Sequence, residues 1–528
     1  MGYTIKFKPD GATAMIRDGQ TILDAAQSAG VHIQVSCNCE GKCKKCRVIV
    51  EEGEFETRMP KQDGAHLACQ TYPKSDAVVF IPEESRLGRH QILEHIEVHE
   101  RREVSGDAFF AVDIGTTTVA ASLIDASDGA IADTASAYNK QVSIGADVLS
   151  RIDYAKSGGL GKLQKLEVET INELLEKLMG RSNLSSGRIK EIITSGNTVM
   201  TYLLVGMDPS EIQRNVQIPR FKMPVSANAR EIGINLEAPV YCIPGVGSYV
   251  GGDITAGILA SGMHTAEGVS MLIDVGTNGE IALGNRDWMV AASTSAGPAF
   301  EGAQTTSGMR AASGAIEEVK IKGDYEVEFS AIDNYKPRGI CGSGFIDAVA
   351  QMFLSGAIDH KGRIDLSIDS KRVRKAKNTS EFVIAWAGET SLGRDIVITE
   401  KDIENIIYTK AAIYAGASAL AKVGVPFGGL ERVYIAGGFG HYIRIDNAIA
   451  IGLLPDLPKE RFAFIGNASL AGAIKVAKEG RGEVEAIARK TTYIDLSSDK
   501  SFTEEYMGAI FLPHANPDLF PSVEERLP

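Results

Sequence analysis

The segment FFAVDIGTTT at residues 109–118 recurs in altered form as SMLIDVGTNG at residues 270–279. Each copy reads as a buried strand that runs into an Asp-x-Gly-Thr turn. Two such copies within one domain predict two structurally similar halves that face each other. From Ala108 onward, apolar strands, glycine turns and amphipathic helices alternate along the chain, which is typical of α/β architecture.

The chemistry of the two turns favours phosphate binding. A glycine in a tight turn lets backbone N–H groups approach phosphate oxygens, and threonine hydroxyls add further donors. The aspartates at the two strand ends, Asp113 and Asp274, repel phosphate but can hold Mg2+ through water or orient an attacking water. The other turn residues expected at the nucleotide are Gly115, Thr116, Thr117, Gly276, Thr277 and Asn278.

A third element, VYIAGGFG at residues 433–440, reads as a buried strand that ends in two glycines. An adenosine can lie against bare backbone there, so Gly437, Gly438 and Phe439 are expected at the nucleotide. The order phosphate, phosphate, adenosine resembles the actin-like (ribonuclease H-like) ATPases, whose two lobes clamp ATP between them. The sequence has no Gly-x-Gly-x-x-Gly motif opening a helix after the first strand and no Gly-Lys-Ser/Thr loop, which argues against the Rossmann and Walker alternatives.

Four further glycine-rich stretches either line the same cleft or are turns between elements. Two acids, Asp253 and Glu280, stand beside glycine turns, so either could be the base that activates water. Cys341 reads as a small buried residue in a glycine loop rather than as a redox thiol. The four stretches are residues 194–198, 244–248 with 251–253, 295–302 and 341–344.

Five of the seven cysteines fall within the first 69 residues, which indicates metal binding rather than a disulfide framework. Two irons bridged by two sulfides need four thiolates. A C-x5-C-x2-C loop supplies Cys37, Cys43 and Cys46, and Cys69 follows after 22 intervening residues. Cys39 is the alternative first ligand. A structural zinc site is the other interpretation, but zinc ribbons normally use two C-x2-C pairs and only one occurs here.

The order of elements around these cysteines is strand, strand, helix, metal loop and strand, which is typical of a β-grasp ferredoxin. The cysteine spacing resembles that of adrenodoxin-like and bacterial [2Fe–2S] ferredoxins, and the basic residues around the loop offer a docking face for an acidic partner. We therefore expect an α+β β-grasp ferredoxin domain at residues 1–82. Residues 83–107 are strongly charged and predict a linker, since such a segment cannot bury a core. Residues 108–528 would form an α/β actin-like ATP-binding domain with two similar lobes.

The composition narrows the partners and the location. The chain has 528 residues, a net charge of −13 and a pI of about 5.4, which argues against a nucleic-acid partner. No apolar run approaches the ~20 residues that span a bilayer, and no signal peptide precedes Tyr3. We therefore expect a cytoplasmic protein with no membrane partner.

The combined pattern resembles the ATP-dependent reductive activators of corrinoid proteins, which return inactive Co(II) corrinoid to Co(I) for methyl transfer. Besides the cysteine spacing, the resemblance rests on DIGTTTV at 113–119, DVGTNGEI at 274–281, TSAGPAFEG at 294–302 and GICGSGFID at 339–347. It implies an oxidoreductase coupled to an ATPase, with a [2Fe–2S] cluster, ATP and Mg2+ as cofactors. It also implies that Asp113 and Asp274 lie at the phosphates, and that the cluster ligands are Cys37, Cys43, Cys46 and Cys69.

The implied partners are the corrinoid protein of a methyltransferase system and an upstream low-potential electron donor. Larger members of the family carry a middle domain that assists dimerisation, where this sequence has about 25 residues, so the resemblance leaves a homodimer open. Two rivals are an activator of a radical dehydratase or aryl-CoA reductase, and a small-molecule kinase with a redox-sensing ferredoxin domain. The first rival kind holds a [4Fe–4S] cluster between two subunits, which the four-cysteine pattern does not suit.

Overall fold

The computed structural model describes residues 2–31, 33, 39, 41, 44–61, 64–82, 85, 101–145, 147–213, 222–276, 278–302, 305–437 and 443–528. Contacts divide the chain into two units. The ferredoxin unit comprises Met1–Gln91 with Gln141–Tyr154. The two-lobed unit comprises Ile92–Lys140 with Ala155–Pro528.

The ferredoxin unit is built on a small mixed sheet. Its elements are β1 (Gly2–Lys8), β2 (Thr13–Arg17), α1 (Ile22–Ser28), β3 (Arg47–Glu52), β4 (Phe55–Thr57), β5 (His66–Leu67), β6 (Thr71–Pro73), β7 (Ala77–Phe80) and α2 (Val148–Tyr154). Five strands pair in the order β2-β1-β7-β3-β5, and β4 pairs with β6. Because side chains alternate along a strand, Ile5 and Phe7 of β1 point the same way, and both are fully buried against Ile22 and Leu23 of α1. The predicted β-grasp arrangement is confirmed.

Helix α1 shows how local sequence positions the cysteine loop that follows it. Thr21 caps the helix by accepting a hydrogen bond from the backbone N–H of Asp24, whose carboxylate in turn accepts from the backbone N–H of Thr21. Gly30 then adopts a left-handed conformation with φ of 71°, which ends the helix at low steric cost. The helix therefore ends just before the cysteine loop.

A short segment far along the chain joins the ferredoxin unit. The amide of Gln27 on α1 donates a hydrogen bond to the carbonyl of Ser143 at 3.1 Å. Arg151 on α2 is fully buried, and donates to the carbonyl of Gly145 at 3.0 Å and to the side-chain oxygen of Gln141 at 2.8 Å. The sequence analysis assigned residues 141–154 to the ATP-binding segment 108–528, whereas their contacts group them with residues 1–91.

The first lobe of the two-lobed unit is a six-stranded sheet with helices. Its elements are β8 (Ala108–Ile114), β9 (Thr118–Asp125), β10 (Ile131–Tyr138), α3 (Leu160–Arg181), β11 (Ile189–Gly196), α4 (Thr198–Leu204), β12 (Val225–Asn228), β13 (Pro239–Cys242) and α5 (Gly252–Ser261). The strand order is β10-β9-β8-β11-β13-β12. The linker's last residues lie on this lobe, since Arg102 pairs with Asp125 and Asp128, each at 2.8 Å.

The second lobe contains a second six-stranded sheet and two three-stranded ones. Its elements are β14 (Ser270–Val275), β15 (Gly279–Gly284), β16 (Met289–Thr294), β17 (Ala315–Ile321), β18 (Val327–Ala331), β19 (Gly339–Ile340), α6 (Gly342–Leu354), β20 (Val373–Lys375), β21 (Ser380–Ala385), β22 (Ile396–Thr399), α7 (Glu400–Val423), β23 (Arg432–Ala436), α8 (Ile445–Ala450), β24 (Phe462–Gly466), α9 (Ala468–Glu479), α10 (Gly482–Lys490), β25 (Thr491–Tyr493), α11 (Lys500–Ala509) and α12 (Pro521–Glu524). The large sheet runs β24-β23-β14-β15-β16-β25, and the small sheets run β18-β17-β19 and β20-β21-β22. None of the helices in the described part of the chain is long and apolar enough to cross a membrane.

The two large sheets repeat one pattern, which confirms the prediction of two similar halves. β8 pairs antiparallel with β9 and parallel with β11, and β14 likewise pairs antiparallel with β15 and parallel with β23. In both copies the Asp-x-Gly-Thr turn joins the first strand to its antiparallel partner. Helices α5 and α9 pack against each other and contact both sheets through one apolar core, which contains Ala111, Ile193, Ile258, Leu272 and Leu470.

Candidate functional site

Two of the predicted cluster ligands lie side by side in the ferredoxin unit. Cys46 immediately precedes β3 and Cys69 follows β5, and these strands pair with Arg47 opposite Leu67. A backbone hydrogen bond from Ala68 to the carbonyl of Cys46 at 2.7 Å continues the pairing. The two sulfur atoms are therefore 3.4 Å apart, and both residues are buried, with 1% and 3% of their surface exposed.

The surroundings of Cys69 favour the thiolate, which is the form that binds iron. Hydrogen bonds from the Cys39 thiol and then from the Cys46 thiol lower the pKa of Cys69 to about 3, against the opposing effect of burial. The amide of Gln70 donates to the Cys69 sulfur at 3.8 Å and also to the carbonyl of Cys39. A buried set of sulfur atoms with amide donors around it fits an iron–sulfur cluster.

The loop that would supply the remaining ligands is only partly described. Cys37 and Cys43 lie outside the described residues. Cys39, the alternative first ligand, has a left-handed backbone with φ of 64°, and its thiol reaches Cys69. The choice between Cys37 and Cys39 therefore stays a prediction, with Cys39 near enough to Cys69 to keep the alternative open.

In the two-lobed unit, the first Asp-x-Gly-Thr turn is held by neighbours on three sides. The N–H of Gly115 bonds to the carbonyl of Thr118 at 2.9 Å, and a Cβ on Gly115 would lie 2.6 Å from that carbonyl oxygen, so only glycine fits. Thr116 accepts a hydrogen bond from Asn197 at 3.3 Å, and Thr117 donates to Glu301 at 3.3 Å. These contacts bring the glycine-rich stretches 194–198 and 295–302 to the turn.

The second turn and the adenosine element meet at Asp274. The N–H of Gly276 bonds to the carbonyl of Asn278 at 3.0 Å, while Thr277 lies outside the described residues. Gly437 has φ of 109°, and a Cβ there would lie 2.5 Å from the carbonyl of Val275 and 3.2 Å from a carboxylate oxygen of Asp274. The other residues predicted at the adenosine, Gly438 and Phe439, lie outside the described part of the chain.

The four predicted acids influence one another electrostatically. Burial raises the pKa of Asp274 to about 7, with Asp113 adding to the effect, and raises that of Asp253 to about 7, with Asp274 and then Asp113 adding to it. The pKa of Glu280 lies well above its usual value because the side chain is buried beside Asp253 and Asp274. Mutual repulsion of this kind requires the carboxyl groups to be close together. Among the described residues, no three or more His, Cys, Asp or Glu side chains are grouped so that they could hold a metal ion directly.

Asp113 is also positioned by two residues that sequence reasoning missed. Its carboxylate accepts hydrogen bonds from the Asn467 amide at 2.8 Å and from the Ser469 hydroxyl at 2.6 Å. The hydroxyl oxygens of Ser469 and Ser195 lie 2.9 Å apart, so Ser469 can accept a hydrogen bond from Ser195 while it donates to Asp113. Burial raises the pKa of Asp113, and the two hydrogen bonds oppose that rise. The only local signal is that Asn467 caps α9 directly after β24, as a strand-to-helix turn would.

The last of the glycine-rich stretches has a packing role. Cys341 is buried at the start of α6, and its thiol donates to the carbonyl of Ile316 at 3.3 Å. Burial raises its pKa above the usual value, which disfavours the reactive thiolate. A Cβ on Gly342 would lie 2.0 Å from the carbonyl of Phe300, and one on Gly344 would lie 2.1 Å from that of Ile316. These glycines therefore allow α6 to approach its neighbours closely.

Three family models match successive parts of the chain. A 2Fe-2S iron–sulfur cluster binding domain matches residues 5–74, a RACo middle region matches residues 109–266, and the C-terminal (ASKHA) domain of RACo matches residues 268–524. A middle region is therefore matched at residues 109–266, and the expectation that only about 25 residues stand in its place is wrong. The matched segment lies within residues 108–528, which the sequence predicts to be one ATP-binding domain.

Similar proteins cover most of the chain. The corrinoid activation enzyme RamQ of Eubacterium limosum is 32% identical over 92% of this chain and 95% of its own length. The [Co(II) methylated amine-specific corrinoid protein] reductase of Methanosarcina barkeri is 26% identical over 75% of each chain. A solved structure, described as a reductive activator for corrinoid, iron–sulfur protein, is 36% identical with a TM-score of 0.71, and the match covers 99% of this chain and 100% of that one.

Proposed function

Because the chain belongs to the family of ATP-dependent reductive activators of corrinoid proteins, we propose that it delivers one electron to the Co(II) centre of a corrinoid protein and returns it to Co(I) for methyl transfer. The observation that carries the proposal is the presence, in one chain, of a buried cysteine pair in a ferredoxin unit and of buried, mutually interacting acids in a two-lobed unit that matches the ASKHA domain of RACo.

The ferredoxin unit would supply the electron. A [2Fe–2S] cluster held by Cys37, Cys43, Cys46 and Cys69 provides one-electron redox chemistry. The buried positions of Cys46 and Cys69 keep water from the sulfur ligands, and the Gln70 amide donates a hydrogen bond to one of them. The reduced cluster carries more negative charge than the oxidised cluster. Hydrogen bonds to the ligand sulfurs therefore stabilise the reduced form more, which raises the reduction potential of the cluster.

The two-lobed unit would bind and hydrolyse ATP. The turns at Gly115–Thr117 and Gly276–Asn278 would hold the phosphates, and Gly437, Gly438 and Phe439 would contact the adenosine. Asp113 and Asp274 would hold hydrated Mg2+, whose charge offsets the repulsion among the four carboxyl groups. Asp253, whose pKa burial raises to about 7, or Glu280, whose pKa burial also raises, would accept the proton of the attacking water.

ATP is needed because the electron moves uphill. A tenfold change in an equilibrium corresponds to about 59 mV for a one-electron couple, so a gap of roughly 300 mV needs about five powers of ten. ATP can provide such a bias if the nucleotide-bound chain grips one form of its partner more tightly and so alters the ligation of cobalt.

The finer assignments of partner and place are also proposals. The corrinoid protein would belong to a methyltransferase system in the cytoplasm, and a low-potential protein would reduce the chain beforehand. Lys44, which is exposed beside the cysteine loop, and its basic neighbours Lys42, Lys45 and Arg47 would attract an acidic donor. A homodimer is the assembly we would test first.

The test is to mix the purified chain with a chemical reductant and a Co(II) corrinoid protein, with and without MgATP. Loss of the Co(II) electron paramagnetic resonance signal only in the presence of ATP is the expected result. ATP turnover that depends on a sugar or carboxylate, with the Co(II) signal unchanged, would instead indicate a kinase.

A further inference from the structure

We infer that Arg310 binds the terminal phosphate of ATP, and that this contact lets the two-lobed unit distinguish ATP from ADP. The inference rests on the proposed function, because it takes the turn at Gly115–Thr117 as a phosphate site. Nothing in the local sequence around Arg310 marks it as a nucleotide contact, and its role follows from three sets of contacts.

The segment that carries Arg310 reaches the first turn from the second lobe. Glu301, which follows β16 in the second lobe, accepts the hydrogen bond from Thr117 in the first. Gly302 has a left-handed backbone with φ of 71°, and a Cβ there would lie 2.3 Å from the carbonyl oxygen of Met309. Gly302, which follows Glu301, therefore lies against Met309, which precedes Arg310.

The guanidinium of Arg310 is itself fixed beside the same turn. It lies over the ring of Tyr138 at 4.7 Å from the ring centre. Tyr138 pairs with Thr118 across β9 and β10. The following residue, Asn139, donates from its side chain to the carbonyl of Gly115 at 3.0 Å and from its backbone to the carbonyl of Thr117 at 2.9 Å. Arg310 therefore stacks on Tyr138, which lies opposite Thr118 at the end of the turn and directly precedes Asn139.

The guanidinium of Arg310, a half-buried residue, is only partly satisfied by the described residues. One of its terminal nitrogens, Nη1, is buried and has no hydrogen-bond partner among the described residues. Burying a charged donor without an acceptor costs more free energy than leaving a neutral one unpaired. An anionic oxygen that arrives with a ligand would satisfy this nitrogen.

A phosphate is the ligand that suits this position. The planar fork of a guanidinium matches two phosphate oxygens, and stacking on an aromatic ring fixes its orientation. The nearby acids Asp113, Asp253 and Asp274 repel a polyphosphate, so a cation at the turn offsets part of that repulsion. A contact from the second lobe to a phosphate held by the first lobe would exist with ATP and be lost with ADP.

The experiment measures, by calorimetry with Mg2+, the affinity of the full chain for ADP and for the β,γ-imido analogue of ATP, which is not hydrolysed. Arg310→Gln is expected to weaken binding of the analogue by ~10- to 100-fold, the usual range for a lost charge-assisted hydrogen bond, with ADP binding little changed. Arg310→Lys keeps the charge but loses the fork and the stacking, so an intermediate loss is expected. It also provides the answer if the glutamine variant is not recovered folded.

The matched control is Arg230→Gln, which removes the same charge from an exposed arginine paired with Glu237 and should change neither affinity. Unchanged binding of the analogue by the Arg310 variants would overturn the inference and leave the proposed function intact. An equal loss for both nucleotides would also overturn it, because Arg310 would then only support the fold. If the wild-type chain bound neither nucleotide, the ATP site of the proposed function would itself be wrong.

Discussion

At the scale of single residues, the local sequence predicted the four acids but not the residues that bond Asp113. Asp113 and Asp274 were predicted because each ends a strand before a glycine turn, and Asp253 and Glu280 because they stand beside such turns. Asn467 lies 354 positions from Asp113, and no local pattern announces their hydrogen bond. Arg310 was missed for the same reason, since its stacking on Tyr138 depends on how the two lobes fold together.

The raised pKa of Asp274 predicts a pH-dependent stability. Asp274 binds its proton more tightly in the folded chain than in the unfolded chain. The folded state therefore loses stability as the pH rises from the usual pKa of an aspartate, near 4, towards 7. Asp274→Asn removes this cost. It should raise the free energy of unfolding of the nucleotide-free chain by about 1–2 kcal/mol at pH 8, less than the full shift because the group keeps some contact with water.

Calorimetric melting of the wild-type chain and of Asp274→Asn at pH 5 and pH 8 checks this. The gain in melting temperature should be larger at pH 8. An equal gain at both pH values would mean that the carboxyl group titrates normally in the folded chain.

At the scale of elements, helices α5 and α9 carry the site between the two sheets. Asp253 lies in the first turn of α5, and Asn467 and Ser469, which bond Asp113, lie at the start of α9, so the N-terminal ends of both helices lie at these acids. The helices approach closely at Gly472, where a Cβ would lie 2.2 Å from the carbonyl of Ala256. The sequence predicted amphipathic helices here but not this crossing, because a glycine within a helix does not indicate which element packs against it.

Gly472→Ala should therefore separate the two helices. We expect a loss of stability of about 1–3 kcal/mol from the forced backbone shift and a weaker affinity for ATP, because the acids would move apart. Gly482→Ala is the matched control, since Gly482 begins α10 and a Cβ there meets nothing within 4 Å. Thermal melting and nucleotide calorimetry compare the two variants, and equal results for both would contradict the role assigned to the crossing.

The segment 141–154 gives a second prediction at this scale. In Arg151→Ala, the carbonyl of Gly145 and the side-chain oxygen of Gln141 lose the buried guanidinium that donates to them. The substitution should therefore destabilise the ferredoxin unit by about 2–3 kcal/mol. Leu149→Ala on the same helix should have little effect, since 48% of that side chain is exposed. The measurement is the temperature at which the cluster's visible absorbance is lost. Identical temperatures for both variants would mean that this segment does not support the cluster unit.

At the scale of the whole molecule, a local sequence pattern predicts the fold of each unit. The pattern is the cysteine spacing in the first unit and the repeated Asp-x-Gly-Thr turn in the second. These signals predicted the β-grasp unit, the two similar lobes and the nucleotide turns. They did not predict that residues 141–154 join the ferredoxin unit, because the bond from Gln27 to Ser143 spans 116 positions. Asn139, whose side chain donates to the carbonyl of Gly115, lies two residues before this segment along the chain.

Coupling of ATP to the delivery of a single electron by one chain can be measured in a single-turnover experiment. The chain is reduced beforehand, freed of excess reductant and mixed with a Co(II) corrinoid protein, and the Co(I) formed is counted against the reduced chains. We expect at most one Co(I) per chain with MgATP, almost none with ADP, and none with Cys69→Ser even though that variant still binds ATP. Equal Co(I) formation with and without ATP, or an unimpaired Cys69→Ser variant, would contradict it.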